Sequence, residues 1–487
     1  MLRFTLRALA LARVPRLGPE RVAAARDRRL RALVRRAIER SPFYRAKYRD
    51  IDPERFDLTE LEPTNKRELM AHFDEAVTEP AVRRSVLERF IDDPANEGRP
   101  FLGRFAVSHT SGSQGQPMLM VQDRRALELL FGLQMTRGSV RRATPVEALR
   151  RLMHPARLAV VTLKHGFYPS ASTFQNMPAA ARPYLKVLRL SQTDADVVER
   201  LNAYRPTILT AYAGVLEMLA LEALAGRLRL APGLRQVVNN SEVLTDRARE
   251  RVERAFGLRV LDNYATGECP FLSNGCPTDP GAHVNADWSI LEVVDDQYRP
   301  VPAGTPGRKI LITNLANAVQ PFLRYEVGDV VTMATTPCRC GSRLPRVERI
   351  EGRAADTFWI RDGSAFRQVL GLVFTHGLEH VREAREWQAV QVDRNRVRIR
   401  LEPLPGATVD LDHARRMLDR ELALYDFRRL LEVDWEVVPR LDADASTGKF
   451  RRIVSLVGPP SDPAREWPAA PLDPAVATLP LPQEAGA

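Results

Sequence analysis

The chain is short of lysine, cysteine and long apolar runs, and each shortage removes a class of protein. Of 72 basic residues only Lys47, Lys66, Lys164, Lys186, Lys309 and Lys449 are lysines. Arginine therefore carries the generic surface charge, and a lysine here is less often filler. The four cysteines, Cys269, Cys276, Cys338 and Cys340, sit in the middle of a long chain, too few and too clustered for a disulfide scaffold. No run reaches the roughly 18 apolar residues of a membrane span. In MLRFTLRALALARVPR, Arg7 and Arg13 interrupt the apolar core that a signal peptide requires. A cytoplasmic location with no transmembrane segment is the expectation. Zinc-finger spacing, aromatic ribonucleoprotein motifs and a basic zipper are all missing, and acids are interspersed among the arginines. The formal charge of +11 is thus read as solubility and small phosphate ligands, with no nucleic-acid partner.

What is present is a globular composition on 487 residues, too long for one core, so two or more domains are expected. Leu30, Leu33, Val34 and Ile38 recur at helical spacing within residues 20–40, with Arg28, Arg29, Arg31, Arg35 and Arg36 around them. Pro42 stops that helix at SPFY. Between about 155 and 270, the short apolar runs 157–163, 206–212, 235–240 and 258–264 alternate with helical stretches beginning at Ala213 and Leu244. That alternation predicts a parallel sheet covered by helices, with ligands at the carboxyl ends of its strands. SEVL (241–244) and ATGE (265–268) follow two of those strands. SILEVVDD and RKILITNL read as strands without intervening helices. From Gly352 a smaller unit is predicted: RVRIRLEP alternates strictly, LEVDWEVV does the same, and a helix near 411–424 lies between them. The fold class is α/β: a large N-terminal domain with mixed and parallel sheets covered by helices, plus a small mobile C-terminal α+β domain. The expected divisions are a basic helical segment at 1–60, a large domain at 61–352, a small domain at 353–457 and a disordered Pro/Ala-rich tail at 458–487.

Four stretches carry chemistry. Thr110-Ser111-Gly112-Ser113-Gln114-Gly115-Gln116-Pro117 combines hydroxyl donors with two glycines whose amides can approach a polyphosphate, and no Gly-Lys-Ser/Thr follows to make it the common P-loop. NYATGE (263–268) offers an aromatic face at Tyr264 and a carboxylate at Glu268 suited to Mg²⁺. RYEVGD (324–329) ends in Asp329, placed to grip two ribose hydroxyls. STGKFRR (446–452) presents Lys449 on a turn. A plain turn or an exposed lysine is the competing reading of each alone.

In this order and spacing the motifs resemble the adenylate-forming enzymes, specifically the phenylacetate–coenzyme A ligase family, with relatives in capsular polysaccharide biosynthesis. The resemblance runs from SPFYRAKY to STGKFRR. It implies that Thr110, Ser111, Gly112, Ser113, Gln114 and Gly115 close over the ATP phosphates. It places Ser241, Glu242, Asn263, Tyr264, Ala265 and Thr266 around the nucleotide, with Tyr264 against adenine and Glu268 on Mg²⁺. Asp329 and Arg353 of Gly352-Arg353 fall to the ribose, and Lys449 to catalysis. Three positions depart from the family pattern: Gln116 replaces a lysine, Gly267 replaces the hydroxyl residue before Glu268, and Ala354-Ala355-Asp356 shifts the acid after Gly-Arg. The implied reaction joins a carboxylic acid, aromatic by analogy, to AMP from ATP and then passes the acyl group to coenzyme A, with the small domain rotating near 352–356 between the halves. Adenylyl transfer without coenzyme A, and a non-catalytic member of an envelope polysaccharide cluster, are the alternatives. A homodimer is the candidate assembly.

Cys276, His283, Cys338 and Cys340 form a second constellation. Three thiolates and an imidazole are the donor set of a tetrahedral structural zinc, with unrelated reduced thiols as the competing reading. Cys269 is read as a core or pocket thiol. His165, Phe167, Tyr168 and Tyr212 are candidates for the acyl pocket, and His109 for the phosphate loop.

Overall fold

The computed structural model describes residues 2–110, 117–137, 155–162, 166–192, 194–230, 232–240, 242, 244, 246–353, 357–363, 365–378, 381–424, 426–442 and 450–457. The chain divides into two compact units at Glu351/Gly352. Gly352 itself has φ +120°, in the region that favours glycine.

The first unit contains the expected parallel sheet. Its five strands lie in the order Leu185–Ser191, Ala156–Thr162, Ile208–Ala211, Gln236–Asn240, Val260–Asn263, all parallel. The apolar runs are continuous because both faces are covered. Ala159 and Val161 pack with Leu209, Leu216, Leu219 and Val252 on one side, while Leu158 and Val160 pack with Phe4, Phe131 and Leu185 on the other. Helices Val197–Tyr204, Ala213–Leu224 and Asp246–Phe256 make the crossovers. Strand Leu185–Ser191 escaped the sequence reading. It is an edge strand, and Lys186 and Arg189 break its apolar run.

A larger core joins the rest of this unit. Helix Pro19–Arg40 buries Leu30, Leu33 and Val34 in it, as the periodicity predicts. Ser41 then ends that helix and caps the next, Pro42–Lys47, by accepting from the Tyr44 amide at 3.2 Å. Residues 2–60 are therefore packed into the large unit. A hairpin of Phe105–His109 and Leu119–Asp123, a sheet of Ser289–Val294, Lys309–Asn314 and Tyr325–Val327, and a sheet of Asp329–Met333, Arg346–Arg353, Ala282–Val284 and Ser273–Gly275 complete it. Gly281 (φ +95°) lets a backbone pass where a Cβ would lie 2.0 Å from the Val347 carbonyl.

The second unit is α+β. Its sheet runs Glu432–Val437, Arg396–Pro403, Ala384–Asp393, Ile453–Ser455. Val397, Ile399 and Leu401 are fully buried, while Arg396 and Arg400 pair with Asp434 and Glu436 on the other face. Helix Leu411–Leu424 covers the core with Ala414, Leu418 and Leu422. The tail expected at 458–487 lies outside the described residues.

Candidate active site and metal cluster

The site forms at the carboxyl ends of the parallel strands. Strand Val260–Asn263 delivers the loop Tyr264–Glu268, and Ser273 fixes its start: the Tyr264 amide donates to Ser273 Oγ (3.0 Å), which donates back to the Tyr264 carbonyl (2.6 Å). This clamp aims the Tyr264 ring so that its hydroxyl donates to Asp329 Oδ2 at 2.8 Å. Two motifs far apart in the chain thus meet, and Asp329 stands at the head of strand Asp329–Met333.

Glu268 is buried. Asn314 Nδ2 donates to its carbonyl at 2.7 Å, and Tyr325 hydrogen-bonds its carboxylate. Burial first, and then the negative charge of Glu268, push the Tyr325 hydroxyl well above the ordinary tyrosine range, so it stays a donor. Tyr325 lies within RYEVGD, where the reading by motif singled out only Asp329. Asn314 also begins a polar network that periodicity cannot reveal. Asn317 Nδ2 donates to the Val121 carbonyl, and Gln320 brackets the same strand by accepting from the Val121 amide and donating to the Leu119 carbonyl, each at 2.9 Å. The hairpin of Phe105–His109 and Leu119–Asp123 is thereby bound to the segment after Lys309–Asn314.

At that hairpin Thr110 closes the loop. Its amide donates to the Met118 carbonyl (3.0 Å) and its Oγ1 accepts from the Met118 amide (2.9 Å). Ser111, Gly112, Ser113, Gln114, Gly115 and Gln116 lie outside the described residues, as do Ser241, His165, Ala354, Ala355, Asp356 and Lys449. Arg353 ends strand Arg346–Arg353 at the start of the second unit.

Other expected ligand residues are engaged within the fold. Asn263 donates to Asn240 Oδ1 (3.1 Å) and accepts from the Gly275 amide (2.7 Å). Glu242 accepts from the Gly214 amide at 3.1 Å, placing a carboxylate at the N-terminus of helix Ala213–Leu224. Thr266 Oγ1 accepts from the Cys269 amide (3.2 Å). Gly267 has a steric reason: a Cβ there would meet Met120 Sδ at 2.8 Å and Pro169 Cγ at 3.3 Å. Tyr212 and Phe167 are buried, and the Tyr212 hydroxyl lies 2.6 Å from Ser170 Oγ. The His109 ring is tilted against that of Tyr168, ring centres 5.2 Å apart. Cys269 is fully buried in the main core, and that burial pushes its thiol up.

The four other candidate ligands converge. One donor atom from each of Cys276, His283, Cys338 and Cys340 lies within 4.8 Å of the rest. The Cys276 and Cys338 sulfurs are 3.3 Å apart, and Cys340 Sγ is 3.3 Å from His283 Nε2. His283 Nδ1 faces the Leu344 carbonyl at 3.2 Å, which leaves Nε2 as the inward donor atom. Backbone amides of Thr278 and Asp279 point at the Cys276 sulfur, and that of Ser342 at Cys340, all at 3.4 Å. Burial opposes the Cys276 thiolate, but hydrogen bonds from His283 and from the Asp279 and Thr278 amides prevail and hold its thiol below the ordinary range. Asp279 was not foreseen; it accepts from Cys338 Sγ (3.1 Å) and from Arg339. A cluster of this kind is able to hold a metal ion.

No family model matches the chain. Its sequence is similar to phenylacetate-coenzyme A ligase of Thermus thermophilus, 25% identical over 358 residues, 71% of this chain and 73% of that protein. It is also similar to protein CapK of Staphylococcus aureus, 25% identical over 167 residues, 34% of this chain and 35% of that protein. Among solved structures it matches 2-hydroxyisobutyryl-CoA ligase in a postadenylation state, with TM-score 0.69, 21% identity and 91% of each chain covered. The fold is therefore that of the adenylate-forming ligases, a large N-terminal domain with a helix-covered parallel sheet. In sequence the chain is similar to phenylacetate-coenzyme A ligases.

Proposed function

We propose that this protein is an ATP- and Mg²⁺-dependent ligase that activates a carboxylic acid as its acyl-adenylate and passes the acyl group to coenzyme A. The observation that carries this reading is the junction of Tyr264 with Asp329 at 2.8 Å, beside a buried Glu268. It is supported by the similarity to ligases whose names state such a reaction.

In this reading Tyr264 packs against adenine, and its bond to Asp329 orients the carboxylate toward the ribose hydroxyls. The loop closed by Thr110 holds the phosphates through hydroxyls and amides. Attack of a carboxylate on the α-phosphate brings two anions together, so positive charge must offset the phosphoryl oxygens. Lys449 supplies a mobile point charge. Bound Mg²⁺ supplies the other charge, and Glu268, held by Tyr325 and Asn314, is the residue to hold it. The acid is aromatic by analogy with the phenylacetate-coenzyme A ligase of Thermus thermophilus. The Cys276–His283–Cys338–Cys340 cluster holds zinc as a structural brace, since three thiols and an imidazole with amide-directed sulfurs suit that ion. The protein works in the cytoplasm.

Calorimetric titration with ATP and Mg²⁺ tests the nucleotide site. Saturable binding that weakens in Asp329→Asn is expected. Equal affinity of Asp329→Asn and the unaltered protein would refute the assignment.

A further inference from the structure

We propose that helix Leu2–Arg13, with the arginine-lined cleft beside it, docks this protein on an anionic lipid bilayer. The helix carries apolar residues on two opposite sides. Phe4 and Leu11 face inward, 5% and 4% exposed, and Leu11 Cδ1 lies 3.0 Å from where a Cβ on Gly132 would be, against helix Arg124–Arg137. At about 100° per residue, Arg3, Leu6, Leu9, Ala10 and Arg13 fall on the far arc. All five are exposed, Leu6 at 57% and Leu9 at 56%. Both leucines thus leave more than half of their surface to water.

The cleft next to this stripe has a volume of about 1050 Å³, and Leu6 lines it. Arg3, Arg7, Arg36, Arg104, Arg124 and Arg125 also line it, against Glu79, Asp123 and Glu128. Those carboxylates are committed: Glu79 to Arg104 and Glu128 to Arg124, each at 2.9 Å, and Asp123 to the Ala126 amide at 2.8 Å. Among the described residues, Arg3, Arg7, Arg36 and Arg125 form no ion pair. The Arg7 guanidinium instead lies 5.4 Å from the centre of the Trp288 ring, which Arg29 approaches to 3.8 Å.

Apolar and cationic features thus form one surface. A soluble phosphate or nucleotide would engage the arginines and leave the leucines in water. A second copy of this chain would bring like charge to like. An anionic bilayer meets both demands, with lipid phosphates for the guanidinium groups and the acyl boundary for Leu6 and Leu9.

Co-sedimentation of the full chain with vesicles tests this. Binding to equimolar phosphatidylglycerol–phosphatidylcholine vesicles and little to pure phosphatidylcholine is expected. Arg3→Glu with Arg125→Glu should weaken vesicle binding about tenfold or more, given the contribution of each basic residue near a charged surface. Leu6→Ser with Leu9→Ser should weaken it severalfold at unchanged charge. Both pairs are exposed, so thermal melting should match that of the unaltered protein. Arg398→Glu with Arg415→Glu makes the same charge change in the second unit and should leave binding within about twofold. The proposal is overturned by absent vesicle binding, by equal binding to neutral vesicles, or by equal loss in the Arg398/Arg415 pair. It is also overturned by full binding in the leucine pair, or by a dimer in solution that the leucine substitutions abolish.

Discussion

The Tyr264 hydroxyl donates to Asp329 Oδ2 across a sequence separation of 65 residues. A hydrogen bond to a charged group contributes about 1.5–3 kcal/mol net, so Tyr264→Phe should raise the Kd for ATP·Mg²⁺ by roughly tenfold or more. Asp329→Asn should do the same, and the double variant should lose much less than the two changes added, as contact between the residues requires. Calorimetry on the four proteins measures this. Additive losses would mean that the pair does not act as a unit at the nucleotide.

Lys449 is one of six lysines in an arginine-rich chain. Removing a preorganised contact to developing charge typically slows a reaction by about 10²–10³. Lys449→Ala should therefore depress acid-dependent pyrophosphate release by that factor or more, with nucleotide affinity and melting temperature retained. Wild-type release from this variant would remove the lysine from the mechanism.

Gly267 and Met120 share one space. Threonine at 267 overpacks it, at a cost of about 1–3 kcal/mol. Gly267→Thr should lower the melting temperature by several degrees, and adding Met120→Ala should recover part of that loss. If the second change deepens the destabilisation, the thioether is not what excludes a side chain there.

With zinc held by Cys276, His283, Cys338 and Cys340 as proposed, elemental analysis should find roughly one zinc per chain. Cys338→Ser should shed the metal and lower the melting temperature, and a strong chelator should do the same to the unaltered protein. A metal-free sample with unchanged melting would leave the four side chains as an ordinary polar contact.

Much of this architecture was legible in the sequence, for physical reasons. Strands such as Ala156–Thr162 and Ile208–Ala211 are covered on both faces, so their apolar runs are readable. Arg396–Pro403 has one wet face, so its residues alternate. Leu185–Ser191 mixes both patterns at a sheet edge and was missed. Motif spacing singles out Tyr264, Glu268 and Asp329 as candidates, but not the hydrogen bonds that Tyr325 and Asn314 make to Glu268, which depend on tertiary packing. The same limit hid the engagement of Glu242 with the Gly214 amide and of Asn263 with Asn240 and Gly275. The first sixteen residues read as basic and faintly apolar, yet only the packed helix shows Leu6 and Leu9 turned to water.

Pyrophosphate release from ATP, measured across a panel of carboxylic acids with and without coenzyme A, tests the central claim most directly. Release that depends on one class of acid, with a thioester appearing only when coenzyme A is present, is the expected result. A folded, metal-replete protein that releases no pyrophosphate with any acid and binds no adenine nucleotide would contradict it.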